Sequence, residues 1–492
     1  MPRKRPAENQ DSTCNCLHSI IWAAQSPIAG VVGFRPKTKK QLGSAAAFPS
    51  LNRSDTLDSD IGCFPFPLLL PDDDLALDPT HPAQPVHEWL KDEDRNKVTP
   101  MRRTIYVAAP PTTHSHLTNF SAAPIAAAST QVDAPSAALL TEYLAAFYHG
   151  MPVRALPVQM EFRTWDEKPI NVKARSRTKR SSAAGSSWIG LAAGTTLTRI
   201  RTRPAPDGMF KRQLNSDDML DAVLAALPDD AYAVVMLVHH DLWEGEEDEE
   251  SHFICGRAYG ASRIAIVSSA RYNPALDEAQ NLNDAHGWPA SHCAAFVHSS
   301  CEGTASKRKK RKEPSPEPPT GTKSDALLET SPMRAAINAY VTAMNDEPSP
   351  ASTWLARVAR TAAHELGHCF GLDHCVYFAC SMQGTAGIAE DARQPPYLCP
   401  ICVRKLSWAT GFEGHNDPTL FAAVPSHPGA TRPRRNVAKP SVSKGGQGFK
   451  QPDEAVLLVH IRDRYVALRQ FCAAQSNGPL FVAHAAWLDS VL

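Results

Sequence analysis

The stretch HELGHCFGLDHCVYFACSMQGTAG, His364 to Gly387, packs three histidines, one glutamate and three cysteines into a short span. It continues SPASTWLARVARTAAHELGHCFG (Ser349–Gly371), whose periodicity predicts a helix with Ser349 at the N-cap and Pro350 at the first helical position. Histidines four apart lie one turn above each other on a helix face, so His364 and His368 can reach one zinc ion. Glu365 sits one residue round the helix. It can approach a metal-bound water without becoming a ligand, which is the placement of a general base.

An isolated H-E-x-x-H arises by chance in many helices. Here Gly371 and His374 extend it to H-E-x-x-H-x-x-G-x-x-H, and the fixed spacing makes coincidence a poor account. The helix must stop and the chain turn back for His374 to meet the same metal, and glycine tolerates the positive φ of such a cap. Three neutral imidazoles leave one position of a tetrahedral zinc open to water, whose pKa falls toward ~7, the arrangement of a catalytic site. Cys369 lies between ligands on another part of the turn and reads as a small buried side chain.

Cys375, Cys380, Cys399 and Cys402 follow, with four, eighteen and two residues between them. The final CPIC is a knuckle turn, and four thiolates compose a closed structural zinc site. The expectation is therefore two zinc ions per chain, one catalytic and one structural, with the neighbours His374 and Cys375 serving different metals. The structural site would pin the backbone that presents the third catalytic ligand.

The surrounding chain reads as α/β. Of its 492 residues 43% are hydrophobic, enough for a sizeable core, while Lys+Arg and Asp+Glu both total 51. A near-zero net charge points to neither a nucleic-acid nor a membrane partner. No apolar core follows the basic start MPRKRPAENQDST, so the sequence reads as a soluble cytoplasmic chain whose twelve cysteines are thiols and metal ligands. RRTIYVAAPP (102–111), PSAALLTEYLAAFYHG (135–150) and MPVRALPVQ (151–159) predict a parallel strand–helix–strand unit. AYAVVMLV (231–238) predicts a central strand buried on both faces, and SRIAIVSSARY (262–272) another strand. SDDMLDAVLAALP (216–228) predicts a helix capped by Ser216. The acidic run EGEEDEE (244–250) lacks EF-hand spacing and reads as a solvated loop.

Composition divides the chain into a disordered tail (1–60, with Cys14 and Cys16 as incidental thiols) and an extended segment packing on the catalytic domain (61–101). The catalytic domain (102–411) is interrupted by a disordered basic insertion (300–325), and a linker (412–452) and a helical segment (453–492) follow. The block Lys307–Lys312 is a nuclear localisation signal, a nucleic-acid contact or a plain solvated charge run.

Taken together, the extended zinc motif, the cysteine directly after its third histidine, the C-S-M of Cys380–Met382 and the final C-P-I-C resemble the archaemetzincins, a branch of the metzincin metallopeptidases. The resemblance covers about residues 102–411 and includes VHHDLW (238–243). It implies a mixed sheet with flanking helices and a cleft holding the catalytic zinc, with Met382 as an apolar floor beneath it. It also implies aminopeptidase-like hydrolysis of a peptide or protein substrate that pairs with an edge strand, for which RIAIVSSARY is the candidate. The alternative is a zinc-stabilised scaffold, catalytically weak, that contacts nucleic acid or protein through its basic insertion.

Overall fold

The computed structural model describes residues 18–48, 64–125, 132–165, 187–245, 253–306, 330–413 and 454–492, apart from 116, 118, 119 and 283. Its strands in chain order are β1 (Thr104–Ala108), β2 (Thr112–Thr113), β3 (Val153–Ala155), β4 (Met160–Thr164), β5 (Ser187–Ala193) and β6 (Thr196–Arg203). They continue with β7 (Gln213–Asn215), β8 (Ala231–Val238), β9 (Asp241–Trp243), β10 (Gly256–Ala258) and β11 (Ile264–Ser268).

Five of them form a mixed sheet in the order β10-β11-β8-β1-β3, all parallel except β10. The helix Ala137–Phe147 connects β1 to β3, as the strand–helix–strand pattern predicts. β8 occupies the middle, and every residue of it is buried. Its side chains alternate between two cores. Ala233, Val235 and Leu237 join the core around the site helix, while Val234, Met236 and Val238 join a second core. A strand covered on both faces must be apolar throughout, and this explains the uninterrupted run.

The second core packs beneath a six-stranded sheet, β2-β4-β5-β6-β7-β9, which the sequence reading did not anticipate. Its hairpin β5–β6 turns at Gly194 and Thr195, with Gly194 at φ 59°. The helix Ser216–Ala225 lies against this sheet, and its cap is Asn215, not Ser216. The Asn215 side chain accepts from the Asp218 amide at 3.1 Å, while Ser216 is already inside the first turn.

The site helix, Pro350–Cys369, begins where expected. Ser349 Oγ accepts from the Ser352 amide at 3.3 Å, and Pro350 fills the first helical position. Leu355, Val358, Ala359, Ala362 and Leu366 bury its inner face. It ends at Gly371, which adopts φ 72° and returns its amide to the His368 carbonyl at 2.9 Å.

Segments outside the expected catalytic domain also contribute to this body. The tail expected over 1–60 is structured from residue 18 to 48. Ile21 bridges to Cys293, and the helix Lys39–Ala46 opens with a Thr38–Gln41 capping box and buries Leu42 in the main core. Of residues 64–98, Phe64, Val86, Trp89 and Val98 join the main core, with Trp89 fully buried, while Leu68, Leu69, Leu70 and Leu75 join another. The helix Ala294–Ser306 runs into the expected insertion, because Val297 and Cys301 are core residues. The basic block itself, Cys14 and Cys16, nearly all of the linker 412–452 and most of the acidic run 244–250 lie outside the described residues. At the C-terminus, the helices Glu454–Ala474 and Pro479–Val491 pack on the body. Trp487 stacks on Tyr397 at 4.2 Å, and the buried Arg464 donates to the Phe147 carbonyl at 2.7 Å. No helix among the described residues is long and apolar enough to cross a membrane.

Candidate metal and active site

The last two turns of the site helix and the chain after Gly371 bring the side chains of His364, His368 and His374 together. One ring nitrogen from each lies within 4.8 Å of the others. Two of the rings are aimed by backbone carbonyls. His364 Nδ1 donates to the Ser381 carbonyl at 2.6 Å, and His368 Nδ1 donates to the Leu372 carbonyl at 2.8 Å. A carbonyl only accepts, so in both rings the proton is on Nδ1 and Nε2 carries a bare lone pair. These two Nε2 atoms face each other at 2.9 Å.

Burial, reinforced by the neighbouring imidazoles, holds His364 well below its ordinary pKa and His368 at about 4, so neither supplies a proton to the gap. Lone pairs opposed at that distance repel unless a cation lies between them. The donor set therefore fits zinc, with the second ring nitrogens oriented as metal-binding histidines require.

Glu365 lies against the strand β10 and lines the same cleft as His364. A Cβ built on Gly256 would lie 2.5 Å from Glu365 Oε1, so the strand approaches the carboxylate more closely than any side chain permits. Burial pushes the Glu365 carboxyl up to about 8, against the pull of the Arg257 guanidinium. A cleft of about 390 Å³ opens beside it, lined among others by Gly256, Thr361, His364, Glu365, Gln383 and Gly387. At its wall Arg360 is paired with Asp391.

The edge strand of the cleft is β10. The expected edge, RIAIVSSARY, is instead internal: β11 lies between β8 and β10. Its residues Ile264–Ser268 are all buried, as an interior position demands, whereas Gly256, Arg257 and Ala258 are half-buried. A three-residue strand with no apolar alternation leaves little signal in a sequence.

Cys375, Cys380, Cys399 and Cys402 form the second group, all four buried with their sulfurs within 4.8 Å of one another. Cys399 precedes the helix Pro400–Gly411 as its N-cap residue, so the CPIC turn is the entry to that helix. The amides of Met382 and Cys399 donate to Cys380 Sγ at 3.5 and 3.2 Å. Four buried thiols with amide donors on sulfur fit a closed zinc site, as the spacing predicts. Lys405 lies beside them, 2% exposed, and its ammonium offsets thiolate charge. Cys369 stays outside both groups, a buried thiol pushed up by desolvation.

The two groups meet at His374 and Cys375. The Cys375 amide donates to the Met382 carbonyl at 2.7 Å. Met382 is fully buried beneath the site helix, and a Cβ on Gly367 would lie 2.5 Å from its sulfur. The N-terminal segment supplies contacts that spacing arguments had no means to find. Gln84 donates to the Gly371 carbonyl at 2.9 Å, accepts from the Asp373 amide at 3.1 Å, and accepts from Lys405. Trp89 Nε1 donates to the Phe370 carbonyl at 2.9 Å. Asp74 approaches His374 across Gly384, where a Cβ would lie 2.3 Å from Asp74 Oδ2 and 2.8 Å from His374 Nδ1.

Fold and site thus define a mixed α/β chain with three histidines gathered at the end of a helix and four cysteines beside them, each group able to hold a metal ion. Residues 339–408 match peptidase family M54. Archaemetzincin-2 of Macaca fascicularis is 30% identical over 200 residues, 41% of this chain and 43% of that protein; human archaemetzincin-2 is 29% identical over the same shares. Human archaemetzincin-1 is 25% identical over 214 residues, 44% of this chain and 34% of its own length. The chain is similar to archaemetzincins over these stretches, and its match spans less than half the length of these curated relatives. Among solved structures, archaemetzincin from Methanopyrus kandleri is 16% identical, covering 62% of this chain and 94% of its own, with a TM-score of 0.27. A zinc-dependent peptidase from Methanocorpusculum labreanum is 15% identical, covering 61% and 99%, with a TM-score of 0.28.

Proposed function

We propose that this chain is a zinc-dependent metallopeptidase, with its catalytic zinc on His364, His368 and His374 and a second, structural zinc on Cys375, Cys380, Cys399 and Cys402. The observation that carries the proposal is the opposition of two bare imidazole nitrogens at 2.9 Å beside a buried carboxylate in the wall of an open cleft. A zinc ion held there supplies Lewis acidity, polarising a carbonyl and acidifying water.

The chain's own residues do the rest. Glu365 takes the proton of the attacking water and returns it to the leaving amine. Its burial favours holding a proton between those two events. The carbonyls of Ser381 and Leu372 keep His364 and His368 in the tautomer that presents Nε2. An extended peptide adds to β10, whose outer edge is unpaired among the described residues, and Gly256 lets its backbone lie against Glu365. The four-cysteine site holds the backbone at Cys375 and thereby the position of His374.

A scaffold role leaves Glu365 without a purpose, since neither metal needs it as a ligand. Zinc-loaded protein incubated with a broad peptide library is the test, and a chain that releases no products sinks the enzyme reading. Comparing free with N-acetylated peptides then decides the aminopeptidase-like preference: acetylation should abolish cleavage.

A further inference from the structure

A third cluster of metal-binding side chains lies apart from both sites. His18, His286 and Cys293 each place a donor atom within 4.8 Å of the others. They come from two distant parts of the chain, and separate contacts hold each one. The stretch after His18 runs along the stretch around Cys293. Ile21 bridges to Cys293, the Trp22 amide donates to the His292 carbonyl at 2.7 Å, and the Ala294 amide donates to the Ile20 carbonyl at 3.0 Å. Arg334 donates to the carbonyls of His18 and Ser19 at 2.8 and 2.6 Å, which fixes the His18 backbone while its ring stays free to turn inward.

His286 is 3% exposed and stacks on Phe296 at 4.3 Å with an interplanar angle of 10°. Its ring meets that of His18 edge to face at 5.4 Å. Cys293 is also 3% exposed. The Nδ1 of His18 is buried with no hydrogen-bond partner. Three soft or borderline donors converging from rigid surroundings, one with an orphaned buried nitrogen, make a ligand set for zinc.

We propose that His18, His286 and Cys293 bind a zinc ion that staples the N-terminal segment to the body of the protein. Between His286 and Cys293 the chain carries Trp288, whose amide donates to the Ala392 carbonyl at 2.9 Å. Ala392 ends the short helix Ile388–Ala392, which borders the cleft at Ile388 and Asp391. The stretch His286–Cys293 thus links the N-terminal segment to one wall of the candidate active site. Two imidazoles and one thiolate leave one tetrahedral position for water or a fourth donor.

The test is zinc content of the full chain after dialysis against a weak chelator. His18→Ala removes a partly exposed ring. It should lower zinc by one ion per chain relative to wild type, as should Cys293→Ser. His364→Ala with His368→Ala should also lose an ion but keep the one at His18, so failure of the peptidase reading and failure of this one are distinguishable. Anomalous diffraction at the zinc edge on wild-type crystals provides a readout independent of any variant's folding, and a peak between His18, His286 and Cys293 is expected. Unchanged zinc in both His18→Ala and Cys293→Ser, or no anomalous peak at that position in zinc-replete crystals, overturns the proposal.

Discussion

Replacing Gly256 by alanine isolates the placement of Glu365 from the metal. The added Cβ would lie 2.5 Å from Oε1, 2.8 Å from Cγ and 2.9 Å from Cδ of Glu365. Ordinary contact begins near 3.4 Å, so either the carboxylate or the strand retreats by about 1 Å. The carboxylate is the end of a flexible side chain and moves first. Its displacement costs little stability but spoils the alignment for proton transfer, and a misplacement of that size can reduce a rate by about 10²-fold. The nearest atoms the methyl would meet all belong to Glu365 and none to a histidine, so zinc content should not change. The assay is peptide cleavage under kcat/KM conditions, with zinc measured on the same sample. Gly260→Ala serves as the control, because a Cβ there meets nothing within 4 Å. Full activity in Gly256→Ala would refute the claim that Glu365 acts from its position against β10. Loss of zinc together with activity would refute the separation of carboxylate from ligands.

Other perturbations reach the site from further away. Cys375→Ser should release the structural zinc and also weaken metal binding at His374, read as two zinc ions lost on mild chelation; unchanged activity would show that the sites are uncoupled. Gly384→Ala pushes a methyl between Asp74 and His374, and equilibrium titration with zinc should show at least a tenfold weaker catalytic site. Trp89→Phe removes a buried hydrogen bond to the Phe370 carbonyl and should cost about 1–3 kcal/mol in urea unfolding.

Acid should destabilise the fold through His484, which is fully buried beside Arg464 and held neutral with its pKa lowered to about 3. The unfolded chain takes up that proton from about 6.5 downward, so the stabilisation is complete above 6.5 and is lost as pH falls from there toward 3. His484→Gln should flatten the decline in unfolding free energy between pH 7.5 and 5.

The parts of the molecule legible in its sequence are those where a local pattern meets one physical demand. The histidine spacing follows from the helix turn, Gly371 from a positive φ, Ser349 and Pro350 from the needs of a helix start, and AYAVVMLV from burial on two faces. The parts that were not legible depend on partners distant in sequence. Gln84, Trp89 and Asp74 reach the loop after the site helix across hundreds of residues, and no spacing rule links them. β11 carried the stronger strand signal because it is interior, and for the same reason it is not the edge. β10, with three half-buried residues, carried almost none. The Ser, Lys and Pro of the first sixty residues suggested a tail, yet the Thr38–Gln41 capping box and the apolar Ile21, Leu42 and Phe48 were local signs of order. Asn215 and Ser216 are both good caps, and only the backbone distinguishes them.

The central claim is that Glu365 performs proton transfer at a zinc held by the three histidines without being a ligand itself. Glu365→Gln keeps the shape of the side chain and removes its basicity. Zinc content and peptide cleavage are measured on one preparation of this variant, with undiminished zinc and no cleavage expected. Cleavage at the wild-type rate, or loss of the zinc with the activity, would contradict the claim.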